Sequence, residues 1–146
     1  MRESLEELFR WLHQHPELGL EEYETTRKLR DVLESAGIEI LPGELPTGFV
    51  AVIRGAGPGR CIGLRADIDA LPIQEESGLP YQSVHPGRMH ACGHDFHAAS
   101  VMGAALMLHE RRNEWNGTVK VVFQPAEETD KGGRLVMQSG LVEDCE

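Results

Sequence analysis

A chain of 146 residues, 40% of them apolar and without a low-complexity tract, is one domain long enough to bury a core, which excludes a disordered segment. Its net charge of −10 excludes a nucleic-acid or anionic-membrane partner, because phosphates recruit Lys and Arg. The longest apolar run falls far short of a bilayer span, the charged N-terminus has no hydrophobic signal core, and three cysteines do not make a disulfide framework, so a cytoplasmic protein with reduced thiols is expected.

Leu5, Leu8, Phe9 and Leu12 recur at helical spacing and predict an amphipathic helix over 3–14, broken by Pro16 and Gly19. A second helix is expected over 21–36, with Tyr23, Leu29, Val32 and Leu33 on its apolar face and Gly37 past its end as a C-cap. Short strands are expected at 38–41 and 49–53. The third, 61–66, is apolar enough to be covered on both faces. Residues 72–90 are rich in Gly and Pro and read as a long loop, of the kind that often carries function. A buried helix over 98–110, a strand over 119–123 and a last helix near 134–139 complete the pattern.

Helices alternating with buried strands predict an α/β fold, a layered sheet whose ligands bind beyond the carboxyl ends of its strands. Asp67 lies just past the third strand, and Glu127 and Glu128 lie just past the fourth. Cys92 and His94 enter the helix between those strands. Three separate motifs therefore converge on one sheet edge.

A thiolate, an imidazole and a carboxylate are a zinc-like ligand set. Cys92 and His94 flank a flexible Gly93, so sulfur and nitrogen can converge on one ion or on two neighbouring ions. The dipole of the following helix is expected to favour the Cys92 thiolate. Soft sulfur selects zinc, cobalt or nickel over magnesium or calcium. In an extended segment the side chains of Glu127 and Glu128 would point to opposite sides, one toward metal and the other toward substrate as a base.

Other residues keep two readings. His90 and His97 either add ligands or orient neighbours and line the cleft. Asp95 either caps the helix or holds His94. Asp67 either holds a ligand's imidazole or fills a turn, and Arg65 requires Asp67 or Asp69 as a partner. His13 and His15 read as satisfying carbonyls at a helix end, Cys61 as a core thiol, and Cys145 as a tail residue with no evident partner.

The segments Leu12-His13-Gln14-His15-Pro16-Glu17-Leu18-Gly19, Leu64 through Pro72, Met89-His90-Ala91-Cys92-Gly93-His94-Asp95 and Gln124-Pro125-Ala126-Glu127-Glu128 occur in that order. Together they closely resemble the amidohydrolase branch of the M20 metallopeptidase family. The resemblance implies a three-layer α/β/α domain with a mostly parallel or mixed sheet. It implies hydrolysis of an N-acyl amino acid at a two-metal site loaded with Zn, Mn, Co or Ni. By position, Cys92, His94 and Glu128 would be metal ligands, Glu127 the general acid/base and Asp67 the supporting aspartate. Arg65 stands where other branches place a ligand histidine. Family members continue to two further ligand histidines and a lid domain that lie beyond these residues. The resemblance therefore implies that 1–146 is the N-terminal portion of a catalytic domain, weak or inactive alone. Its exposed sheet edge would be open to a second copy or a complementing chain. The competing expectation is a non-catalytic metal-binding or interaction module.

Overall fold

The computed structural model describes residues 4–146. Four helices and four strands are present among the described residues: α1 Leu5–Gln14, α2 Tyr23–Ser35, β1 Glu39–Ile40, β2 Phe49–Arg54, β3 Cys61–Asp67, α3 His94–Glu110, β4 Thr118–Gln124 and α4 Gly132–Gln138. Every expected element exists. The expected start of the first helix at residue 3 lies outside the described residues.

Local chemistry sets the helix ends. The Ser4 hydroxyl accepts from the Glu7 amide at 3.1 Å, and the Glu7 carboxylate accepts from the Ser4 amide at 2.8 Å. This reciprocal capping box starts α1, with Leu8 and Leu12 one turn apart on its buried face. α2 ends as expected at Gly37, whose φ of 80° only glycine adopts without strain. There the Ile38 amide reaches back to Leu33 O at 3.0 Å and the Gly37 amide to Glu34 O at 3.0 Å, which is a Schellman closure.

The sheet is mixed, in the order β1-β2-β4-β3. β2 pairs antiparallel with β1 and β4, whereas β3 and β4 run parallel, joined by the α3 crossover. Alternation along the strands separates two apolar layers. Phe49, Ala51, Ile53, Val119, Val121 and Phe123 face α1, α2 and α3, with Leu12, Leu33 and Met102 in the same cluster. Val50 and Val122 face the other way and meet Val136 of α4. The result is three layers, helix–sheet–helix, as the pattern predicts.

Three expectations need correction. β3 is not covered on both faces: Ile62 is 50% exposed, because β3 ends the sheet. α3 starts four residues early, at His94, because the polar His94 and Asp95 are buried with partners of their own. It is also buried along one side only, with Phe96 and Met107 exposed.

Candidate metal centre

Because β3 and β4 are parallel and Asp67 pairs with Gln124, the carboxyl ends of both strands open onto the same edge. α3 begins there too. Gly93 caps its N-terminus at φ 82°, a left-handed turn that lifts Cys92 out of the helix and sends His94 inward. Asp67, Cys92, His94, Glu127 and Glu128 thereby arrive in one place from three elements.

His94 is buried, and its Nδ1 lies 2.8 Å from Asp69 O and 3.1 Å from Asp69 Oδ1. Both neighbours only accept, so Nδ1 carries the proton and donates. The other nitrogen, Nε2, faces carboxylates: Asp67 Oδ2 at 3.6 Å, Glu127 Oε2 at 3.6 Å and Glu128 Oε1 at 3.7 Å. Asp69 also accepts from the Glu128 amide at 2.9 Å through Oδ2, so one carboxylate aligns two corners of the site. Burial favours the protonated acid at Asp69. The hydrogen bonds from His94 and from the Glu128 and Glu127 amides outweigh it and lower the pKa.

The two glutamates do not sit in an extended segment as expected. Ala126 takes a left-handed conformation at φ 50°, and Glu127–Thr129 forms a 3-10 turn. That turn turns both carboxylates toward His94 Nε2 rather than to opposite sides. Their surroundings still differ, since the Glu127 side chain is 40% exposed and that of Glu128 22%. The Ala126 amide donates to the buried Glu22 carboxylate at 2.7 Å, and Glu22 also accepts from the Thr47 hydroxyl at 2.6 Å.

The donor set fits a divalent cation. Cys92 Sγ, a His94 ring nitrogen and a Glu128 oxygen lie within 4.8 Å of one another. Glu128 Oε1 is buried without a hydrogen-bond partner, a costly state that a cation would relieve. The Cys92 thiol is pushed up by its hydrogen bond with Glu128, by the charge on that carboxylate and by burial. At His94, burial favours the neutral ring, but the hydrogen bond with Asp69 and the charges on Asp67 and Asp69 outweigh it and raise the pKa. The pocket thus favours positive charge, whether proton or metal.

Asp67, His94 and His97 form a second cluster with the same spacing. Asp67 Oδ1 accepts from His97 Nδ1 at 2.7 Å, and Oδ2 lies 3.3 Å from Arg65 Nη1. Arg65 also donates from Nε to Gln124 Oε1 at 2.7 Å. Asp67 is therefore the carboxylate partner that Arg65 requires. His90 is buried with neither ring nitrogen bonded, and burial pushes its pKa down to about 4, so the ring is neutral.

Asp95 does not hold His94. Its Oδ2 faces His13 Nδ1 at 2.6 Å, while Glu75 Oε1 lies 3.0 Å from His13 Nε2. His13 thus bridges two carboxylates instead of satisfying carbonyls, whereas His15 Nδ1 does bond Trp11 O at 2.7 Å. Sequence reading missed Asp69 as the anchor of His94, although Asp69 is two residues beyond Asp67 at the end of the same strand. It missed Glu22 and Glu75 entirely, because a lone glutamate gives no sign of burial. Cys145 has a partner after all: its sulfur lies 3.2 Å from that of Cys61.

Comparison with known proteins gives a consistent result. The N-acetylcysteine deacetylase of Bacillus subtilis (strain 168) is 54% identical over 132 residues, covering 90% of this chain and 35% of the deacetylase. The N-acetyldiaminopimelate deacetylase of Lactobacillus helveticus is 42% identical, covering 96% of this chain and 37% of its own length. This chain therefore spans about a third of the curated relatives it matches. The crystal structure of the Bacillus subtilis YXEP protein, a dinuclear metal-binding peptidase from the M20 family, superposes with a TM-score of 0.95 at 51% identity, covering 97% of this chain and 40% of that one. The family profile matches residues 63–145, the stretch that runs from β3 through both glutamates. The chain belongs to Peptidase family M20/M25/M40.

Proposed function

We propose that the protein carrying these residues hydrolyses the amide bond of an N-acyl amino acid, releasing a carboxylic acid and a free amino acid. The observation that supports this most is the buried, unpartnered Glu128 Oε1 beside His94 Nε2 and Cys92 Sγ, with Glu127 across from it. Cys92, His94 and Glu128 are the metal ligands in this reading. They would hold a divalent metal, one of two in the complete site and drawn from Zn, Mn, Co or Ni, which would supply Lewis acidity toward the substrate carbonyl and the attacking water. Glu127, the more exposed carboxylate, takes a proton from the attacking water and delivers it to the leaving nitrogen. Asp69 fixes the His94 tautomer, and Asp67 holds His97 and Arg65 in place beside the reacting groups. Two relatives are deacetylases of N-acetylcysteine and N-acetyldiaminopimelate, which supports a small N-acyl amino acid as substrate.

Residues 1–146 form the N-terminal portion of the catalytic domain in this reading. β3 ends the sheet, which favours a second copy or a complementing chain along that strand. No described helix is long and apolar enough to cross a membrane.

A chimera tests the proposal. The chain replaces the matched segment of the B. subtilis N-acetylcysteine deacetylase, and release of free amine from N-acetyl amino acids is followed alongside metal content. The chimera is expected to turn over, and Glu127→Gln is expected to lower kcat by at least about 100-fold with metal retained. Near-normal turnover of that variant would remove Glu127 from the chemistry. A folded, metal-loaded chimera without amidase activity would favour a non-catalytic metal-binding module.

A further inference from the structure

A second group of reactive side chains lies at the opposite end of β3. Cys61 is the first residue of that strand and Asp67 the last, which separates the group from the metal centre by about 20 Å of extended chain. Cys61 Sγ and Cys145 Sγ are 3.2 Å apart although 84 residues separate them in sequence. Both are free thiols and both are partly exposed, so a small reagent can reach them.

The chain around Cys145 is held in place independently of the sulfurs. The Glu146 amide donates to Cys61 O at 2.9 Å. Lys120 Nζ donates to Leu141 O at 2.6 Å and to the Asp144 carboxylate. Arg60 Nη1 lies 3.3 Å from Glu146 Oε2. Backbone and side-chain contacts thus deliver Cys145 to Cys61 before any covalent bond exists.

Two observations weigh against a metal ion between these sulfurs. Two thiolates on a tetrahedral zinc stand about 3.8 Å apart, given Zn–S bonds of about 2.3 Å, and these sulfurs are closer. The third donor in reach, Asp144, is already neutralised by the Lys120 ammonium. The site holds its own cation and has no need of another.

We propose that Cys61 and Cys145 are a redox-active pair that closes into an intramolecular disulfide when the protein meets a low-molecular-weight disulfide. Burial, the hydrogen bond with Cys145 and its charge push the Cys61 thiol up to about 12, so Cys145 supplies the first nucleophile. The Cys145 thiolate attacks one sulfur of the reagent RSSR, the S–S bond breaks, and RS⁻ leaves. The mixed disulfide no longer carries the negative charge that held the Cys61 proton. Cys61 then gives that proton to solvent and attacks Cys145 Sγ, and the second RS⁻ departs. Two protein thiols are oxidised, one RSSR is reduced, and two RSH are released. Excess reduced thiol reverses both steps.

The test uses the whole chain in glutathione redox buffers, quenched with a thiol-alkylating reagent and read by intact mass and peptide mapping. The expected product is a Cys61–Cys145 cross-link with Cys92 alkylated, outnumbering the glutathione mixed disulfide by about tenfold or more. In denaturing urea that preference should collapse, because folding no longer aligns the sulfurs. Cys61→Ser should leave glutathione on Cys145, and Cys145→Ser should abolish the cross-link. Mixed disulfides that persist without cross-linking in the folded chain overturn the proposal. So does a cross-link to Cys92, or zinc retained stoichiometrically by a Cys92→Ala variant and lost on adding Cys145→Ser.

Discussion

His13 presents a donor from each ring nitrogen to a carboxylate: Nδ1 to Asp95 at 2.6 Å and Nε2 to Glu75 at 3.0 Å. Only the imidazolium can donate both ways. Burial favours the neutral ring, but the bonds with Glu75 and Asp95 outweigh it and raise the His13 pKa above its ordinary 6.5. A raised folded pKa means that the fold binds this proton more tightly than the unfolded chain does. The resulting stabilisation is complete below pH 6.5 and disappears as pH rises through the folded value. His13→Asn should therefore cost on the order of 2–3 kcal/mol at pH 6, and the gap to the parent chain should narrow as pH climbs. Urea unfolding across that range checks it, and a gap that stays constant up to pH 10 would show that His13 is not charged. This clamp was hidden in the sequence, where His13 reads as an ordinary helix-end histidine. The candidate site was legible because Cys92, His94, Glu127 and Glu128 announce themselves by residue type and spacing. Asp69 and Glu75 act through long-range partners, and the sequence shows a residue's type without showing what lies across the fold.

The elements themselves were legible because hydrophobic periodicity reports them directly, and Gly37 marks the end of α2 as its backbone demands. The turn between β4 and α4 was not, because nothing in Pro125-Ala126-Glu127 signals a left-handed alanine. Tertiary contacts impose that conformation. The Ala126 amide is held by Glu22, and the Gly132 amide returns to Ala126 O at 3.1 Å. α4 can approach only because Gly132 has no side chain: a Cβ there would lie 1.5 Å from Pro125 O. Gly132→Ala should therefore push α4 off the turn that carries both glutamates. The expected loss is about 2 kcal/mol or more in urea unfolding, with weaker metal binding by calorimetry, since Glu128 moves with the turn. Gly78→Ala has open space around it, although its φ of 67° brings strain of its own. It should lose stability without changing metal affinity. Equal effects of the two substitutions on metal binding would break the link between α4 packing and the site.

At the largest scale, the sheet of the described residues has two edge strands of unequal length. β1 is a two-residue strand, too short to recruit another chain, whereas β3 runs for seven residues and ends the sheet. Ile62 on β3 and Met107 on α3 are 50% and 62% exposed. Met107 borders a groove also lined by Leu64, Ala104, Leu108 and Trp115, with Arg111 and Glu114 at its charged side. Apolar surface beside an edge strand favours association, and a net charge of −10 opposes it. The two forces respond differently to salt. Raising ionic strength shortens the Debye length from about 30 Å at 0.01 M to about 8 Å at 0.15 M, so the repulsion fades while the hydrophobic term persists. The chain should therefore self-associate more strongly as salt rises, as read by sedimentation velocity at fixed protein concentration. Replacing Ile62 and Met107 together by Lys should keep it monomeric across the same range. Its folding stability should stay within about 1 kcal/mol of the parent, because neither side chain is buried. Association that weakens with salt would instead identify ion pairs as the contact, and association untouched by the double substitution would move the interface away from β3.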